Sequence, residues 1–68
     1  MPVTVETGVV LRHKFGKREE EGRIVVDDIK NEVCHVSPAD PNNLRDRRLA
    51  ALTNNAPPGE MATFFEKA

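Results

Sequence analysis

All ten Val and Ile residues of this 68-residue chain fall within its first 36 positions, and all six Ala residues fall after position 38. β-Branched side chains sit on a pleated surface with little loss of rotamer freedom, whereas Ala has the highest helix propensity. So sharp a partition predicts a β half followed by an α half, joined near Ser37-Pro38-Ala39-Asp40-Pro41. Segregation along the chain argues for an α+β fold rather than a βαβ repeat.

In the front half Val3, Val5, Thr7, Val9, Leu11 and Phe15 share one parity, and Thr4, Glu6, Gly8, Arg12 and Lys14 share the other, with Val10 the one apolar exception. That period of two predicts a strand over 3–15 with one dry face, and an irregularity at Gly8. The charged, glycine-bracketed stretch 16–22 reads as a hairpin tip. Arg23-Ile24-Val25-Val26-Asp27 follows as an interior strand. Residues 27–36 admit two readings. One is a turn at 28–31 leading to a strand over 32–36; the other is a helix capped by Asp27, with Ile29, Val33 and Val36 on one face. The β-branched content and the Lys30-Asn31 turn chemistry favour the hairpin. Residues 2–36 are thus expected to form a small antiparallel meander, which strong bending would bring toward an SH3-like barrel.

In the rear half Asp40-Pro41 resembles an N-cap followed by proline at the first helical position. A helix is expected over 41–53, closed by Asn54-Asn55, which tolerate a left-handed cap. Ala56-Pro57-Pro58-Gly59 reads as a stiff linker. A short helix over 60–67 then places Met61, Phe64, Phe65 and Ala68 on one stripe. One domain, 1–68, is all this length accommodates.

A chain this small has a marginal core and often relies on a disulfide, a metal or a partner. The single Cys34 cannot form an intrachain disulfide. A lone thiol, with neither a basic n-region nor an apolar h-region at the start, predicts a reducing, cytoplasmic setting. No apolar run approaches membrane-spanning length, so no membrane partner is expected. Charge is balanced in both halves: six Lys/Arg against seven Asp/Glu up to position 36, and four of each beyond. Neither half is a polycation that would bind nucleic acid by bulk attraction.

Three constellations stand out. On the 41–53 helix Arg45 and Arg48 fall inside the leucine arc of Leu44, Leu49 and Leu52. Their stems would cover the sheet while their guanidinium groups reach water or meet Asp27, Asp28 or the Glu19–Glu21 run, or they would anchor a protein partner. Phosphate recognition by Arg45, Arg47 and Arg48 is a third option, opposed by Asp46 among them and the lack of an aromatic platform. The Met61, Phe64 and Phe65 stripe would either complete the core or enter a groove on a partner or a second copy. Arg12-His13-Lys14-Phe15-Gly16-Lys17-Arg18 surrounds one aromatic with basic groups, as a nucleic-acid contact would, and Arg47 with its neighbours would extend it. The Glu19-Glu20-Glu21 run opposes that reading. Cys34 and His35 are strand neighbours pointing to opposite faces, so a shared metal is not expected, and a catalytic thiol would need a distant base.

The function expected from these residues is a non-enzymatic protein-interaction module or accessory subunit, with homodimerisation as one form of it. Arg45, Arg48, Leu52, Met61, Phe64 and Phe65 are its candidate contacts, and no catalytic, metal or cofactor site is expected. The alternative is a small nucleic-acid-binding module using Arg12, Lys14, Lys17, Arg18 and Arg47.

Overall fold

The computed structural model describes residues 5–14 and 22–68. In chain order, β1 (Val10–His13), β2 (Arg23–Lys30) and β3 (Val33–Pro38) precede α1 (Leu44–Thr53), α2 (Pro58–Phe64) and β4 (Phe65–Lys67). The strands make one antiparallel sheet in the order β3-β2-β1-β4. The class is α+β, as the Val/Ile-to-Ala switch predicts. The outer strands β3 and β4 do not pair with each other, so the sheet is open and no SH3-like barrel closes.

Leu11, Ile24, Val26, Cys34 and Val36 are buried on one face of the sheet, joined by Ala50, Met61 and Phe65 from the rear half. Val5 and Val9 pack on this core with the parity of Leu11, as the alternation requires. Regular pairing nevertheless starts only at Val10. Ahead of it the Val9 N–H donates to Glu6 O at 3.2 Å, with Gly8 at φ +89°. That dihedral suits the third position of a type II turn and costs glycine nothing. The irregularity expected at Gly8 is thus a turn, and it shortens the expected 3–15 strand to Val10–His13. Phe15 lies outside the described residues.

Residues 27–36 form the hairpin, not the helix. Its turn is Asn31-Glu32, both at positive φ (55° and 64°), rather than 28–31. A two-residue turn with both dihedrals positive matches the right-handed strand twist. A bulge between Val26 and Asp28 inserts one residue into β2. The bulge reverses the alternation, so Ile29 faces the core opposite Cys34 although it differs in parity from Ile24 and Val26.

Both helices start elsewhere than expected. α1 begins at Leu44, not Pro41, because Asn43 is the cap: its Oδ1 accepts from the Arg45 and Asp46 N–H groups at 2.9 and 3.2 Å. Asp40 instead organises the preceding turn, its Oδ1 accepting from Asn42 N–H at 3.0 Å. At the far end Asn54 N–H closes on Ala50 O and Asn55 takes the left-handed conformation expected of that pair, at φ 71°. α2 starts at Pro58, where the fixed φ suits a first helical position. It stops at Phe64, so residues 65–67 are strand and not helix. Strand alternation buries Phe65 and presents Glu66 to Arg12, while Lys14 N–H and Ala68 N–H tie the segment to β1 on either side.

The β3 edge is covered by the chain leaving α1. Cys34 N–H donates to Ala56 O and Asn55 N–H to Cys34 O, both at 2.8 Å, and the Asn54 side chain accepts from Val36 N–H. An edge so occupied offers little to a foreign strand.

Candidate interaction surface

α1 lies over β3 and β2 with an unexpected face inward. Its buried residues are Asp46 and Ala50, one turn apart, flanked by half-buried Leu49 and Thr53. Leu44 is 55% exposed and Leu52 83%. Arg45, Arg47, Arg48 and Ala51 are exposed as well. The leucine arc read from the sequence as the sheet-facing side is therefore, apart from Leu49, the solvent-facing side.

The cause lies in the first turn. The Asp46 carboxylate, only 6% exposed, accepts from the Arg23 N–H at 2.7 Å through Oδ1 and from the Asp40 N–H at 2.9 Å through Oδ2. One side chain thereby joins the helix to the start of β2 and to the loop before α1. It also places negative charge in the first helical turn, where the macrodipole favours it. Gly22 permits the approach, since a Cβ there would overlap the Arg45 carbonyl. Once Asp46 faces the sheet, the helical repeat of about 3.6 residues carries Ala50 inward and rotates Leu44, Arg48 and Leu52 outward.

Leu44, Arg48, Ala51 and Leu52 accordingly share one exposed stripe, with Arg47 beside it. An open groove of about 320 Å³ adjoins the stripe between α1 and β3. Val36, Pro38, Ala50 and Ala51 make its apolar walls, and Arg47 and Asn54 its polar margins. Neither Arg47 nor Arg48 has an ion-pair partner among the described residues. Asp46 is the only acid on α1, and it is committed inward.

The other candidate residues lie elsewhere. Met61 and Phe65 are core residues, 1% and 4% exposed, so the aromatic pair is split, with Phe64 43% exposed at the end of α2. His13 meets the Phe65 ring edge-on at 5.1 Å between centroids. Arg12 is half-buried on β1, its Nε 3.3 Å from Glu66 Oε1, an ion contact without hydrogen-bond alignment. Lys14 Nζ donates to Ala62 O at 3.4 Å. Lys17 and Arg18 lie outside the described residues. Arg12 and Lys14 thus belong to the β1–β4 side, whereas Arg45, Arg47 and Arg48 belong to the helix over β2 and β3.

Cys34 is fully buried, and burial pushes its thiol above the ordinary value, which disfavours the thiolate a nucleophile needs. Among the described residues no group of three His, Cys, Asp or Glu side chains could hold a metal ion, and no helix is long and apolar enough to cross a membrane. Asp46, which sets the rotation of α1, is the structural position that the sequence pattern did not single out. The available signal was an acid three residues after Asn43, the spacing of a capping box, obscured by the arginines around it. No family model, no curated protein and no solved structure matches this chain.

Proposed function

We propose that this chain is a non-catalytic protein-interaction module or accessory subunit whose docking surface is the outward face of α1. The observation that carries the reading is the orientation of that helix. It is fixed through Asp46, and it turns Leu44 and Leu52 to water while spending only Ala50 and part of Leu49 on the core. Isolated exposed leucines are ordinary on small proteins, but two on one stripe, joined through Ala51 to a groove of mixed polar and apolar lining, form a patch of the kind that marks protein contacts. Arginine beside apolar anchors is the composition enriched at such interfaces.

The partner in this reading is another protein rather than a second copy. A two-fold contact through α1 would set Arg47 and Arg48 of one chain against the same residues of the other. Nucleic-acid binding has less support. Arg12 is already beside Glu66, α1 carries no aromatic platform, and the helix-terminal amides of residues 45 and 46 are taken by Asn43.

The test is selection from a random dodecapeptide display library on the intact chain. Retained peptides should lose binding to a Leu44→Asp/Leu52→Asp variant whose circular dichroism is unchanged. Peptides that bind the variant equally well, or no retained peptides at all, would overturn the reading.

A further inference from the structure

We infer that the α1 face, if it docks protein as proposed above, takes an acidic amphipathic segment, one apolar side chain entering the groove between α1 and β3 while carboxylates meet Arg47 and Arg48. Charge complementarity is the basis. α1 reads Leu44-Arg45-Asp46-Arg47-Arg48, yet its single acid is turned to the sheet and saturated by the Arg23 and Asp40 amides. The outward face therefore keeps Arg47 and Arg48 without an acid of their own helix to offset them. Guanidinium groups pair with carboxylates bidentately, and because Arg47 and Arg48 are exposed that pairing is screened by salt.

The groove places four apolar residues beside the charged ones. Val36, Pro38, Ala50 and Ala51 offer small, non-polar walls, and Arg47 stands at the margin. An occupant matching both needs an apolar side chain with acids as close neighbours. A phosphate-bearing ligand is matched less well, because Asn43 has already claimed the amides that would cradle a compact anion.

Sequencing of the peptides retained by the intact chain tests this directly. An excess of Asp and Glu flanking an apolar residue is expected, with affinity falling as salt rises and falling about tenfold or more on Arg47→Glu. An Arg47→Glu/Arg48→Glu chain should retain basic peptides instead. Peptides that need Leu44 and Leu52 but are neutral or basic would overturn this inference and leave the docking surface standing. Failure to retain any peptide dependent on those leucines would remove both. Titration with single-stranded oligothymidylate provides the remaining outcome: steeply salt-dependent binding that Arg47→Glu abolishes would overturn the acidic-segment inference in favour of nucleic acid.

Discussion

Replacing Asp46 by Ala removes the acceptor of two backbone amides in one step. The Arg23 and Asp40 N–H groups, at 2.7 and 2.9 Å from its two oxygens, are left without it. Hydrogen bonds to a charged acceptor contribute about 1.5–3 kcal/mol each, so even the lower figure gives a loss of about 3 kcal/mol. The lost interaction with the helix dipole adds about 0.3–1 kcal/mol. A chain of 68 residues has only about 3–10 kcal/mol of total stability at the usual value per residue. Asp46→Ala is therefore expected to lose about a third or more of the chain's stability, and to unfold if that stability lies at the low end of the range. Asp46→Asn keeps one carbonyl acceptor and turns an amide donor toward the other N–H, so it should lose about 2 kcal/mol and remain folded. Urea titration followed by far-ultraviolet circular dichroism measures both. A loss below about 1 kcal/mol for the Ala variant, the size of an ordinary surface substitution, would refute the role given to this carboxylate.

Three further outcomes follow from the same geometry. Gly22→Ala should destabilise by about 1–3 kcal/mol, because its Cβ meets backbone that cannot move aside, and a neutral result in urea would deny the close approach to Arg45. Glu32→Gly should stabilise by about 1 kcal/mol, since Glu32 holds a left-handed dihedral that strains any L side chain, and a loss of stability would contradict the two-residue turn. For Cys34 the folded chain holds the thiol proton more tightly than the unfolded chain, so this contribution is complete below the ordinary thiol pKa. It should decline as pH rises through that value and toward the raised one. Stability measured across that range should fall in the native chain and fall less in Cys34→Val, and a disulfide reagent should modify the native thiol slowly; rapid modification would contradict its burial.

Composition was the legible part of this fold. The Val/Ile-to-Ala switch marks where strand gives way to helix, and the period-two pattern, despite Val10 and the turn at 6–9, puts Val5, Val9 and Leu11 on the side that packs on the core. What escaped are features set by contacts remote in sequence. The β2 bulge reverses parity at Ile29 because of how β3 pairs with it, which the residues of β2 alone do not declare. Phe65 obeys a helical spacing with Met61, yet pairing with β1 outweighs one more helical turn. The surface of α1 was misread for the same reason. Leucine hydrophobicity favours turning that arc inward, but two amides on other segments claim Asp46, and a helix has one rotation to give. Of the residues proposed for docking, Arg48 and Leu52 were among the contacts expected from the sequence, whereas Arg47 was expected to serve nucleic acid, Leu44 was not singled out, and Met61 and Phe65 lie in the core.

That rotation is what the account rests on, and the chain has four leucines with which to read it: Leu11, Leu44, Leu49 and Leu52. Methyl NMR of the dilute full chain with a soluble paramagnetic agent reports the solvent access of each directly. Leu44 and Leu52 should broaden strongly, Leu49 weakly, and Leu11 hardly at all. Protection of Leu44 and Leu52 to the level of Leu11 would mean that the arc faces the sheet after all, and the proposed docking surface would not exist.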